Sequence, residues 1–361
     1  MGTLYRFELK KMLRQRVLWV AVLIMSVVLI GVGLTDAIVG KAAEAESCRQ
    51  FSGRVIDDAL IKEAQETKDA GAYIVFRNFI TFCMGTTEHG LVDARQVYAA
   101  RIAENEEQMT ASRLSEAEKE YWRAKEAEVK KPFTYYFEEG FAGIYTSVYV
   151  ANFMLLILTA IAVCGIFSDE KLSGTDQIIY SSVRKEALFT AKMLAGLTVG
   201  MLLGLYLFAV LSACSFGTYG TSGFDAPLQL RIPGCMLNIT IGESYLCLFL
   251  LLMTAAVVYA ALAMFLSQVL GSRSAATAIM VIGLFLSMLN VPESLGVISR
   301  LWSYLPGAYI GSWTFTEYRL ISLFGRFFNN LQAAPVIWLL ASAAFLAAAG
   351  VAYRRYQVRG K

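Results

Sequence analysis

The sequence has little charge for its length. Only 17% of its 361 residues are Asp, Glu, Lys or Arg, whereas 57% are hydrophobic. Soluble domains carry nearer a quarter charged residues, and here the apolar residues lie in long uncharged blocks. This pattern argues against an ordinary soluble protein and favours a chain embedded in a lipid bilayer. The net charge of +3 gives no indication of nucleic-acid binding.

The residues that usually build metal, redox and nucleotide sites are also scarce. His89 is the only histidine, and the six cysteines include no CxxC pair, which argues against the common zinc and redox motifs. The sequence contains no GxxxxGKS or GxxxxGKT phosphate-binding loop. We therefore expect no catalytic, metal or cofactor site and no enzymatic activity on this chain. If it moves a solute uphill, the energy must come from another polypeptide.

Six blocks are long and apolar enough to cross the hydrocarbon core, which takes roughly 20 residues. They cover residues 17–39, 144–167, 187–216, 244–270, 275–291 and 335–353. The fifth block is short and follows closely on the fourth. The predicted fold is an all-α polytopic membrane protein with about six transmembrane helices.

The interiors of these blocks contain almost no ionisable residues. Asp36 and Glu243 lie at predicted outer ends, and Lys192 lies near an inner end, where its ammonium group is expected to snorkel to the headgroups. Ion-coupled transporters usually bury acids or histidines as relays, and voltage sensors need repeated arginines. Both classes are therefore disfavoured, as is an intramembrane protease.

The distribution of basic residues predicts the orientation. Fourteen Lys and Arg lie in the expected inner segments and four in the short outer loops, which places both termini in the cytoplasm. Residues 1–16 mix apolar and basic side chains and are predicted to form an amphipathic helix in the inner interface. The first span follows at 17–39, and residues 144–361 hold spans two to six with a cytoplasmic loop at 168–186.

Residues 40–143 are too polar to enter lipid and are predicted to form a helical extracellular domain between the first and second spans. Ser115 and Glu118 have the spacing of a capping box ahead of a charged helix. Residues 132–137 (PFTYYF) are predicted to be an aromatic belt where the second span begins. An aromatic strip that binds substrate is the alternative.

Two pairs of cysteines lie in segments predicted to be extracellular, where disulfides are permitted. Cys48 could pair with Cys83 in the outer domain, and Cys214 with Cys235 across the loop after span three, although the connectivity stays open. Residues 293–313 and 316–330 are predicted to be interfacial or re-entrant segments. They either close the outer mouth of a path or lie as belt helices.

Three glycines recur at intervals of four residues in the third span: Gly196, Gly200 and Gly204. This spacing puts them on one helix face and lets another helix approach closely. The face is expected to serve packing within the subunit, with dimerisation as the alternative.

The inner loop after span two carries the most informative pattern. It resembles the corresponding loop of the type-two ABC exporter permeases at Phe167, Glu170, Gly174, Thr175, Ser181, Arg184 and Lys192. The sequence departs from that pattern at 178–180 and at Val183, where proline is common. The layout of a basic interfacial helix, a first span, a large outer domain and then this loop resembles the permeases of Gram-positive bacteria.

The resemblance implies a permease subunit in a bacterial plasma membrane. Its implied partners are a second permease subunit, identical or related, and a separate ABC-type ATPase that holds ATP and Mg²⁺. In such a permease the loop docks in a groove of the ATPase. From the residues themselves, Gly174 is expected to end the helix that continues span two, and a short helix over about 175–182 would follow. The predicted coupling residues are Asp169, Glu170, Gly174, Thr175, Ile178, Ile179, Tyr180 and Arg184.

The resulting hypothesis is an ABC exporter subunit for a peptide, antibiotic or lipid-like substrate. The rival from another class is a membrane sensor or scaffold whose outer domain binds a ligand without transport. A passive channel is disfavoured because polar pore-lining residues are lacking. A neighbouring gene for a P-loop ATPase would favour the exporter, and a neighbouring histidine kinase without such an ATPase would favour the sensor.

Overall fold

The computed structural model describes residues 2–35, 48–66, 93–175, 185–289, 291–292 and 295–355. The described part is almost entirely helical. Its α-helices are α1 (Gly2–Leu13), α2 (Arg16–Gly33), α3 (Asp58–Glu66), α4 (Ala94–Ala111), α5 (Glu116–Glu128), α6 (Glu139–Val163), α7 (Ser168–Ser173), α8 (Lys185–Tyr219), α9 (Ile241–Leu270), α10 (Arg273–Ser287), α11 (Val297–Ser303), α12 (Pro306–Tyr309) and α13 (Asn330–Arg355). Three short 3₁₀ turns and one two-stranded hairpin, β1 (Ile321–Leu323) and β2 (Arg326–Phe328), complete it.

Five of the described helices are long and apolar enough to cross a membrane: α2, α6 with α7, α8, α9 and α13. The predicted all-α polytopic fold is therefore confirmed. The block predicted as a fifth span forms α10, a shorter apolar helix of 15 residues. At 1.5 Å per residue it is about 22 Å long, less than the hydrocarbon core of roughly 30 Å.

The bundle is arranged around α6. In its most apolar stretch 78% of α6 is buried, against 22% for α2 and for α13. A helix that is apolar on all sides suits this central place, and α2, α8, α9 and α10 pack around it. The large exposed apolar side chains of α2 and α13, such as Leu23 and Leu340, therefore face lipid in a membrane.

The helices of the bundle are connected at two opposite faces, which we call the terminal face and the domain face. The terminal face carries α1, the start of α2, the end of α6, α7, the start of α8, the end of α9, the start of α10 and the end of α13. The domain face carries α3 to α5 and the segments that join α8 to α9 and α10 to α13. In the described residues, successive long helices are connected at one face and then at the other.

The glycine face of α8 lies against α9 in the same chain. A Cβ atom at Gly196 would come within 2.7 Å of the sulfur of Met264, and one at Gly200 would come within 3.0 Å of the carbonyl oxygen of Ala256. At Gly204 the nearest atoms would be the Cβ of Ala256 and the Cε of Met253, both at 3.5 Å. The glycines thus allow α8 and α9 to pack at close range.

The outer domain has its own core beside the bundle. The predicted capping box at the start of α5 is present, since Ser115 accepts from the Glu118 amide and Glu118 accepts from the Ser115 amide. The aromatic belt predicted over residues 132–137 is wrong. Phe133, Tyr135 and Phe137 are at most 2% exposed and pack in the domain core.

The backbone explains why these aromatic residues turn inward. Residues 133–135 run antiparallel to residues 53–56, with the Ile56 amide donating to the Phe133 carbonyl and the Tyr135 amide to the Arg54 carbonyl, both at 2.8 Å. Alternate side chains of an extended segment point to opposite sides, so every second aromatic residue enters the core. Tyr136, between two of them, is 36% exposed.

The segment 316–330 is not a helix, as a belt of helices would require. Phe324 and Gly325 both have positive φ values, 52° and 74°, and form the two-residue turn of the β1–β2 hairpin, in keeping with a primed hairpin turn. Tyr318, Leu320 and Phe327 pack against α5 of the outer domain and its neighbours. In the other segment, α11 and α12 are short helices.

The possible disulfide between Cys214 and Cys235 does not form, because both residues are free thiols. Cys214 lies on α8 beside Gly33, whose added Cβ would be 3.0 Å from that of Cys214. Cys235 is fully buried in the loop after α8, and burial raises the pKa of its thiol to about 12. The side chain of Cys48 and all of Cys83 lie outside the described residues, so their pairing stays a prediction.

Candidate functional site

The helix α7 begins directly after the end of α6 at the terminal face. The chain turns over residues 164–167, and α7 then ends at Gly174, which has a φ of +67°. A glycine at this position adopts the left-handed conformation at no steric cost, so the expected helix end at Gly174 is observed. Leu172 is 69% exposed, and Gly174 and Thr175 are also exposed.

A cluster of buried charges joins α7 to its neighbours. The ammonium group of Lys192 on α8 lies 2.7 Å from Oε1 of Glu170, 2.8 Å from the Ile166 carbonyl and 3.4 Å from Oε2 of Glu8 on α1. The same Oε1 of Glu170 accepts from Lys11 on α1 at 2.7 Å. We call Glu8, Lys11, Glu170 and Lys192 the charge cluster.

The charge cluster corrects the prediction that Lys192 snorkels. Its side chain is fully buried, and those of Glu8 and Glu170 are 3% and 8% exposed. Only Lys11, at 37%, is open to solvent. The two cations balance the two carboxylates, which is how buried charges are tolerated. Glu170 therefore points into the protein rather than toward a partner.

Aromatic rings close the cluster on one side. Phe167 stacks on Phe189 of α8 with centroids 5.8 Å apart, and both rings contact Tyr353 of α13. The Lys192 ammonium lies 5.6 Å from the centroid of the Phe167 ring. A cation at this distance over an aromatic face is attracted by the ring quadrupole, so the rings shield the cluster and also stabilise it.

A second set of polar contacts fixes α7 to α9 and α10. Ser267 of α9 accepts from the amides of Phe167 and Ser168 at 3.1 and 3.2 Å. Lys171 donates to the Gln268 carbonyl at 2.8 Å. Asp169 lies 3.5 Å from Arg273 at the start of α10. A six-residue helix is thus attached to α1, α8, α9 and α10.

Arg273 extends these contacts to the start of the first span. Its Nη2 donates at 2.6 Å to the side chain of Gln15 and to the Ile161 carbonyl of α6. Gln15, between α1 and α2, in turn donates to the Ala162 carbonyl at 3.2 Å. Displacing α7 would therefore strain contacts to α1, α6, α8, α9 and α10 together.

The structure describes four of the eight residues predicted to couple to the ATPase, and their coupling role stays a prediction. Asp169, Glu170, Gly174 and Thr175 lie on or next to α7, whereas Ile178, Ile179, Tyr180 and Arg184 lie outside the described residues. Sequence reasoning missed Glu8 and the role of Lys192. The signal was present, because a lysine within an apolar block requires a partner and Glu8 is the one acid in residues 1–16.

Residues 3–308 match the family model described as ABC-2 family transporter protein. The match runs from α1 into α12 and includes the whole charge cluster. Neither the curated proteins nor the solved structures gave a match to this chain.

Proposed function

Because the chain belongs to the ABC-2 family of transporter proteins, we propose that it exports an amphipathic substrate, namely a peptide, an antibiotic or a lipid-like molecule. As a family member it is the membrane subunit of an ABC transporter. In the proposal a separate ATPase subunit hydrolyses the ATP, and a second permease subunit, identical or related, completes the path. The proposal puts the terminal face on the cytoplasmic side of a bacterial plasma membrane, and the excess of basic residues at that face supports this orientation.

The observation that carries the proposal is the attachment of α7. This short helix exposes Leu172 at its tip, while its other side holds Glu170 within the charge cluster. An ATPase that contacts the exposed tip would thereby act on five helices of the bundle. Such an arrangement suits an element that receives a movement from a partner and passes it to the spans.

The strength of the charge cluster determines how the movement is passed on. Breaking one partner out of a buried ion pair costs roughly 3–5 kcal/mol, so a switch that separated Lys192 from Glu170 would be expensive. We infer that α1, α7 and the start of α8 move as one body. The ATPase then biases an equilibrium between inward-open and outward-open arrangements through its different contacts with α7 in the two.

The first test compares two exposed leucines at the terminal face. In mild detergent, L172S is expected to reduce the amount of co-purifying P-loop ATPase about tenfold or more, because it removes an apolar contact at the tip of α7. L270S, at the end of α9, makes the same chemical change at a residue that is 40% exposed and should retain the ATPase. Equal retention by both variants would contradict docking at α7.

The second test separates docking from coupling. E170Q alters a side chain that faces away from the partner, so it should keep the ATPase bound while transport per ATP hydrolysed falls. G174A strains a left-handed position by about 1–2 kcal/mol and is expected to act in the same way. Wild-type transport in both variants would contradict the coupling role. If no ATPase co-purifies with the wild type, the sensor or scaffold hypothesis gains instead.

A further inference from the structure

A groove of about 860 Å³ lies between α8 and α13 at the terminal face, and Phe189 is one of the residues that line it. We propose that it binds an anionic phospholipid from the surrounding leaflet, with the phosphate at Lys185 and Arg354 and an acyl chain along the groove. The binding does not depend on the proposed export function. The volume of the groove lies within the range of known small-molecule binding sites.

The two walls of the groove have the same pattern. On α8, Lys185, Phe189 and Met193 follow at intervals of four residues, and on α13, Leu346, Gly350 and Arg354 do the same. Residues spaced by four lie on one helix face. Each wall therefore presents two uncharged positions deep in the bundle and one cation at its end, where the lipid headgroups would lie.

The middle of the groove, where Phe189 of one wall faces Gly350 of the other, is called its floor and is shaped for an apolar chain. A Cβ atom at Gly350 would lie 3.4 Å from the ring of Phe189, so the glycine leaves space beside that ring. From Lys185 to Met193 the groove extends about 12 Å along α8. Val351 on its margin is 50% exposed, which opens the groove toward the lipid-facing side of α13.

The charge at the mouth of the groove favours an anion. Lys185 and Arg354 line the groove and Arg355 is adjacent, whereas Glu186 is the one acid among the described residues that line it. Glu186 and Arg354 lie 3.8 Å apart, but their side chains are 81% and 75% exposed, so this pair is weak. Basic sites between spans on a cytoplasmic face bind the headgroups of anionic lipids.

The position of the groove connects the lipid to the charge cluster. Phe189 forms the floor and also stacks on Phe167, whose ring lies 5.6 Å from the Lys192 ammonium. A bound acyl chain would thus pack on the ring that shields the cluster. An effect of anionic lipid on transport rests on the proposed function, whereas the binding is measured on this chain alone.

The test uses the purified, delipidated chain in detergent, titrated with phosphatidylglycerol or phosphatidylcholine of identical chains and followed by native mass spectrometry. The wild type is expected to retain one phosphatidylglycerol in preference to phosphatidylcholine. K185Q/R354Q should weaken phosphatidylglycerol binding roughly ten- to thirtyfold with little change for phosphatidylcholine. G350L, which fills the floor without changing charge, should weaken both.

The matched control is R6Q/K10Q, which removes two exposed cations from α1 at the same face. It should leave the one tight phosphatidylglycerol in place. The proposal is overturned if K185Q/R354Q binds phosphatidylglycerol like the wild type, or if the control loses it to the same extent. Thermal unfolding midpoints equal to that of the wild type establish that each variant is folded.

Discussion

Removing the charge of Lys192 should loosen the terminal face more than any other single change there. Among the described residues, the Glu170 carboxylate keeps only Lys11 as a charged partner in K192M, and Glu8 loses its one charged partner. Lys11 is itself partly open to solvent. An uncompensated charge of this kind costs roughly 3–5 kcal/mol. Since about 1.4 kcal/mol corresponds to a factor of ten, the local opening equilibrium should rise roughly a hundred- to several-thousandfold.

Hydrogen exchange followed by mass spectrometry measures this opening directly. The amides of α1 and α7 should lose protection in K192M, while those of α4 and α5 in the outer domain should not. K10M, which removes an exposed lysine from α1, serves as the control and should change protection by less than about threefold, since surface substitutions typically cost under 0.5 kcal/mol.

A double substitution distinguishes the charge cluster from simple packing. In E170Q/K192M both members of the Lys192–Glu170 pair are neutral, so the loss of protection should be smaller than the sum of the two single losses. Additive losses, or a K192M variant that exchanges like K10M, would refute the idea that Lys192 and Glu170 compensate each other within the protein.

Three further predictions concern the packing and the domain face. G200V should destabilise the bundle by roughly 1–3 kcal/mol through overpacking, because a Cβ there meets the Ala256 carbonyl at 3.0 Å. G217V should cost less, because a Cβ there has no neighbour within 4 Å. Thermal unfolding midpoints of the two variants test the difference. Arg101 is fully buried and donates to Glu126 and to two carbonyls of the 233–235 loop, so R101M should make that loop sensitive to limited proteolysis. Burial raises the pKa of Glu138 to about 7 from its ordinary 4.5, so folding favours the neutral carboxyl. The free energy of unfolding should therefore fall as pH rises from about 4.5 to 7. E138Q should remove this pH dependence from the thermal unfolding midpoint.

Features set by local rules were predictable from the sequence. The capping box of α5 needs only Ser115 and Glu118 at the right spacing, and the end of α7 needs only Gly174. The long apolar helices follow from length and composition. Each of these signals is contained within a few neighbouring residues or within one uninterrupted block, so no knowledge of the tertiary structure is required.

The errors arose where distant segments decide the outcome. The aromatic residues at 133–137 were predicted to form a membrane belt because their partners at 53–56 are some 80 residues away in the sequence. Lys192 was predicted to snorkel because its carboxylate partners lie on α1 and α7, which are distant from it in the sequence. In both cases the local sequence fits two environments, and only the tertiary contacts select between them. The charge of an isolated residue in a span is thus a reason to look for a partner in a distant segment.

The position of α6 explains how the two faces of the protein can communicate. Glu138, directly before α6, and Tyr145 and Asn152 on this helix follow at intervals of seven residues, and each is bonded to a different part of the structure. They contact Arg231 of the loop after α8, Ser244 of α9, and the Pro306 carbonyl of α12, respectively. All three are at most 4% exposed.

A helix that is bonded at regular intervals cannot slide freely past its neighbours, because each buried bond that is lost leaves an unsatisfied group that costs about 1–3 kcal/mol. A displacement of α7 would therefore be carried along α6 as a rigid-body movement and reach the outer domain together with the loops bonded to it. N152L removes the bond to the Pro306 carbonyl and the bond that Asn152 accepts from Tyr259 of α9. It should let the two faces move independently, so that distances measured by spin labels change with nucleotide at the terminal face and no longer at α4. An unchanged response at α4 would show that another helix carries the movement.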